Sequence, residues 1–129
     1  MAEKVERGSF SVGSIGTSTI LLQDATMVPR EITFFTGSHG TSDTVNHTCD
    51  GFMNGDRQQA RGTFTDATGS KTSIVNNKCI SHYSRVSGTI TEIITATKPA
   101  SPFATAGQFD VTFSAVNATP IIFFIARGS

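Results

Sequence analysis

The sequence predicts an all-β fold: a two-sheet antiparallel β-sandwich, jelly-roll-like, of eight or nine short strands. Three observations carry this. Thr, Ser, Gly, Ile, Val and Phe dominate, while Leu occurs only at Leu21 and Leu22. β-Branched and aromatic side chains fit a pleated surface and lose χ1 freedom in helices. Turn formers recur at about the 8–12-residue spacing of sandwiches and barrels. Finally, Phe109, Val111, Phe113 and Ala115 alternate with Asp110, Thr112 and Ser114, the pattern of a half-buried strand.

Taken in order, residues 1–8 read as a flexible polar tail and 9–129 as one sandwich domain. Phe10–Val12 is a short first strand and Thr19–Gln23 a second. Glu31–Thr36 is a strong third strand, with Ile32 and Phe34 on one face. A loop follows over Gly37–Asp43, then a weaker strand over Thr44–Thr48. Cys49–Asp56 carries two glycines and reads as tightly bent backbone. Gln58–Thr65 is extended or holds one helical turn near Arg57–Arg61, and Asp66–Gly69 is a turn. Ser73–Val75, Cys79–Tyr83 and Arg85–Ala96, the last broken at Gly88, supply further strands. The chain ends in an expected hairpin, Phe109–Val116 and Ile121–Ala126, joined by Asn117–Pro120. Its second strand is apolar on both faces, which predicts a central strand buried on two sides.

At 129 residues the chain is long enough for a core that needs neither metal nor disulfide. Net charge is zero, only 16% of residues are charged, and the basic residues never form a run. A nucleic-acid footprint needs a basic patch, so nucleic acid is not an expected partner. The charged N-terminus has no apolar run after it, and no stretch reaches the ~18 apolar residues of a membrane span. Neither a signal peptide nor membrane insertion is expected.

Several residue clusters invite a chemical reading. His47-x-Cys49 and Cys79-x-x-His82 hold the ligand types of a tetrahedral zinc site, although the spacing departs from familiar zinc modules. The alternatives are a Cys49–Cys79 disulfide, or two buried free thiols with surface histidines. The expectation is no resident metal or cofactor. Asp50–Asp56 is oxygen-rich and glycine-bent, but it lacks the Asp-x-Asp spacing of a calcium loop, and Arg61 stands where that loop needs a bidentate Glu. Ser38, His39 and Asp43 include triad residue types without triad evidence, and no Gly-x-Ser-x-Gly elbow exists. Asn46-His-Thr48 and Asn117-Ala-Thr119 match the glycosylation pattern by chance. A sugar site built on loop residues would use His39, Asp43, Asn54 and Tyr83. The lack of Trp and the single Tyr weigh against it, because ring faces stack on sugars.

Four segments taken together carry a resemblance. They are Val28–Phe35 ("Pro-x-x-Ile-x-Phe"), Asp50–Gln58 ("Gly-Phe-x-x-Gly-x-x-Gln"), Gly107–Phe113 and Ile121–Ala126. In this order they resemble small β-sandwich virion proteins of tailed bacteriophages, of the head-decoration, fibre or tail-tip type. Gln108 separates Gly107 from Phe109 where the two are often adjacent, and the cysteines lie outside the pattern. The resemblance implies a non-enzymatic structural protein without catalytic residues, located in the virion and assembled in the host cytoplasm. It also implies protein–protein contacts with other virion proteins and with itself as a homo-oligomer, a homotrimer favoured. The alternative is a glycan-binding, lectin-like module that attaches to a cell-surface receptor.

Overall fold

The computed structural model describes residues 3–37, 45–117 and 119–129. They form ten strands: β1 Lys4–Phe10, β2 Gly16–Leu21, β3 Pro29–Thr36, β4 Asn46–Asn54, β5 Gln58–Asp66, β6 Gly69–Val75, β7 Ile80–Val86, β8 Thr89–Thr97, β9 Gln108–Ala115 and β10 Ile122–Gly128. A six-stranded sheet has the order β1-β10-β3-β4-β5-β6 and a four-stranded sheet β2-β9-β8-β7, with antiparallel pairing throughout. The two sheets pack as the expected β-sandwich. The chain ends alternate between sheets (β1, β3 and β10 against β2 and β9), whereas β3 to β6 run as an up-and-down meander.

Period-2 patterning places the core. Ile32 and Phe34 of β3, Phe109, Val111 and Phe113 of β9, and Ile122, Phe124 and Ala126 of β10 are all buried between the sheets. Phe10 meets Phe34, Phe109 and Phe113 edge-on at centroid distances of 6.5, 6.4 and 6.3 Å, and Phe109 meets Phe124 at 5.1 Å. Edge-to-face contacts of this kind add about 0.5–1.5 kcal/mol each beyond the area they bury.

Three sequence expectations are corrected here. Residues 4–10 are not a loose tail but the edge strand β1, in register with β10 from Lys4↔Gly128 to Phe10↔Ile122. Apart from Phe10, its inner face is Lys4, Glu6 and Gly8, which hides it from a hydrophobicity pattern. A Cβ on Gly8 would come within 2.5 Å of the Phe124 ring, so any side chain there must displace that buried ring. The Glu6 carboxylate accepts the backbone N–H groups of Gln23 and Asp24 at 2.8 and 2.9 Å.

The second correction concerns the closing hairpin. β9 and β10 belong to different sheets, so Phe113 and Phe124 enter one core from opposite sides. The third concerns Cys49–Asp56, which is mostly the regular strand β4. Gly51 is needed there for contact rather than bending: a Cβ on it would lie 1.9 Å from the Cys79 carbonyl oxygen, and one on Gly62 2.3 Å from that of Ser81. The two glycines let β7 approach β4 and β5 closely. At Ser87-Gly88, with φ of 50° and 84°, the chain makes the two-residue turn between β7 and β8 that positive φ at both positions permits.

Candidate functional site

Inward-pointing residues fill the core, so the outward set of the larger sheet is what a partner would meet. Register carries one continuous row across all six strands: Ser9↔Phe123↔Phe35↔Asp50↔Arg61↔Ile74. Every member is exposed, with Phe35 at 38%, Phe123 at 42% and Ile74 at 62% of full accessibility. The Phe35 and Phe123 rings stack 5.7 Å apart at 16°. A second row, Arg7↔Ile125↔Thr33↔Phe52↔Gln59, lies alongside it. On the other flank Thr48, Thr63 and Thr72 are in register, and the Thr48 and Thr63 hydroxyls hydrogen-bond to each other. Between these rows Glu31, Thr33, Asp50, Phe52, Arg61 and Ile74 line an open groove of about 450 Å³.

Asp50 and Arg61 face each other across β4 and β5. Opposite charges so placed would ordinarily pair. Here they do not: the ion pairs among the described residues are Lys4–Asp24, Arg30–Glu3, Lys78–Glu92, Arg85–Asp66 and Arg127–Glu31. Both charges stay open to a partner.

The structure gathers His47, Cys49, Cys79 and His82 in the interior, as packed core rather than as a ligand set, and the histidines expected at the surface are buried. His47 and Cys49 share the inner face of β4, and the His47 ring stacks on His82 of β7 at 5.8 Å and 12°. His82 Nδ1 is 2.6 Å from Thr36 Oγ1, and Ser84 Oγ lies 3.3 Å from His47 Nε2. Parallel imidazoles tied to hydroxyls are packed as core, not splayed as ligands, and no cluster of three or more metal-ligating side chains exists among the described residues. Cys49 and Cys79 are free, buried thiols. Burial, partly opposed by the Ser81 N–H donated to Cys49 Sγ at 3.3 Å, pushes Cys49 up to about 11. Burial pushes Cys79 up to about 12. Neither is a thiolate at neutral pH, so neither is poised as ligand or nucleophile.

Of the sugar-site residues, His39 and Asp43 lie outside the described residues, as does most of the Gly37–Asp43 loop. Asn54 caps the β4–β5 turn, its side-chain oxygen accepting the N–H groups of Asp56 and Arg57 at 2.8 and 2.7 Å. Tyr83 is only 6% exposed, packed against Gly62 with Lys71 Nζ 5.9 Å from its ring centre. It offers no open ring face, and these two residues form no common site.

The sequence did hold a signal for the outer face. β10 is apolar on both sides, and its second side, with Phe123 42% exposed, is open rather than buried. No family model, curated protein or solved structure matches this chain.

Proposed function

We propose that this chain is a non-enzymatic structural protein that works through protein–protein contacts in a symmetric homo-oligomer. We further propose that its setting is the virion of a tailed bacteriophage, as a decoration, fibre or tail-tip component. The observation that carries the contact reading is the outer row Phe123–Phe35–Asp50–Arg61–Ile74. It joins stacked aromatic rings, an exposed aliphatic side chain and two charges with no ion-pair partner among the described residues on one open sheet face. Aromatic and Arg anchors of this kind carry most of the energy in protein interfaces. The setting rests on the four resembling segments, which fall on or beside β3, β4, β9 and β10. The glycan-binding alternative loses its aromatic loop residue with Tyr83 in the core.

Light scattering on a sizing column at two protein concentrations tests the reading. A closed oligomer is expected at the higher concentration. A clean monomer at both would overturn it and direct attention to a glycan array.

A further inference from the structure

We infer that the outer face of the six-stranded sheet is covered by the same face of a second copy, about a two-fold axis running parallel to the strands between β4 and β5. This deepens the oligomer reading above and rests on it. The argument is charge complementarity along the exposed row Phe35–Asp50–Arg61–Ile74.

Two sheets stacked face to face by a two-fold must have that axis in the plane between them, and a two-fold contact sets one patch against itself. Two orientations matter. With the axis across the strands, Asp50 would face Asp50 of the second copy and Arg61 would face Arg61. Like charges set together in this way cost several kcal/mol. With the axis along the strands, the row is read in reverse by the partner. Asp50 then faces Arg61 of the second copy, Arg61 faces its Asp50, and Phe35 and Ile74 cover each other. The Thr48 and Thr63 hydroxyls on the flank oppose one another, where either can donate. One orientation therefore satisfies the two charges that have no ion-pair partner among the described residues, and both large apolar neighbours with them.

The contact spans β3 to β6 of each copy. Four strands at ~4.8 Å spacing and about eight residues at ~3.3 Å make a face of roughly 19 by 26 Å. That is the small end of specific interfaces, the size class of weak, transient contacts. Phe123 and β1 remain outside it, open to other contacts of an assembly.

Paired charge reversals test this by sedimentation velocity on the full chain. D50R gathers four arginines about the axis and R61D four aspartates, two like-charge pairs in each case, so each alone should pair at least about 100-fold more weakly than wild type. An equimolar mixture of the two variants should recover pairing, because each arginine then meets an aspartate. A salt bridge within one chain cannot produce that rescue. I74E, at an exposed position of the edge strand β6, should also weaken pairing. If wild type pairs but the mixture does not, or if D50R, R61D or I74E pairs as wild type does, this face is not the interface and the homo-oligomer reading stands. A wild type that stays monomeric up to about 1 mM removes both.

Discussion

Arg85 clasps Asp66 through two parallel hydrogen bonds, Nε to Oδ2 at 2.6 Å and Nη2 to Oδ1 at 3.0 Å. The pair ties the β5–β6 turn of the larger sheet to β7 of the smaller one. The same carboxylate accepts the N–H groups of Thr68 and Gly69, each at 3.0 Å. Bidentate guanidinium–carboxylate geometry is the strong form of this contact, and lysine cannot reproduce it.

A pH-dependent loss of stability follows. The Arg85 hydrogen bonds, ahead of the turn N–H groups, hold the Asp66 carboxyl well below the ordinary carboxylate range. A depressed folded-state value means stability that is fully present above the unfolded value of about 3.9, and lost as pH falls from there toward the folded one. Asp66→Asn should lower the urea midpoint at pH 7, and its deficit relative to wild type should shrink between pH 4 and pH 2. A deficit unchanged down to pH 2 would show that the ionised pair is not its source.

Sheet spacing at β7 depends on two missing side chains. Gly51→Ala must push its new methyl against the Cys79 carbonyl and Gly62→Ala against that of Ser81, both backbone atoms that cannot swing aside. Overpacking of this kind costs about 1–3 kcal/mol and occasionally more, and each variant belongs at the top of that range. Gly55→Ala, which meets nothing within 4 Å, should be neutral or gain up to about 1 kcal/mol through the unfolded chain. Urea denaturation of the three variants side by side checks the contrast.

How far the fold was legible follows from what alternation can encode. β3 and β9 could be read because their buried residues are large and apolar, Ile32 and Phe34 in one, Phe109, Val111 and Phe113 in the other. β1 could not, because Glu6 and Gly8 face inward for a hydrogen-bonding and a steric reason, neither of which raises hydrophobicity. In β4, Asp50-Gly51 carries turn chemistry by type, while its role is set by Cys79, a residue distant in sequence. The β9–β10 connection has the composition of a hairpin loop, and only the assembled core decides that Phe113 and Phe124 come from opposite sheets. The outer row likewise exists only through register. Phe35, Asp50, Arg61 and Ile74 lie far apart in the chain and become neighbours once four strands pair.

The buried thiols give a chemical prediction. With Cys49 raised to about 11 and Cys79 to about 12, and both shielded from solvent, native protein at pH 8 should show no reaction with a thiol reagent over minutes. In guanidinium the same sample should titrate two thiols. One or no thiol in the denatured state, restored by a reductant, would mean that the cysteines pair after all.

Phe34 and Phe35 are chain neighbours with opposite fates, and their alanine variants should separate stability from association. Phe34 is fully buried and meets Phe10 and Phe109 edge-on at 6.5 and 6.0 Å. Its truncation should cost about 3–5 kcal/mol, the range for a large aromatic core residue. Phe35 is 38% exposed and, among the described residues, its ring meets that of Phe123. Phe35→Ala should cost about 1 kcal/mol or less of folding stability while weakening pairing of the outer faces, in which Phe35 lies against Ile74 of the second copy. Thermal melts at low protein concentration, where the chain is monomeric, read the first effect, and sedimentation at high concentration reads the second. A Phe35→Ala variant that loses as much stability as Phe34→Ala would place both rings in the core and leave the outer face without its aromatic anchor.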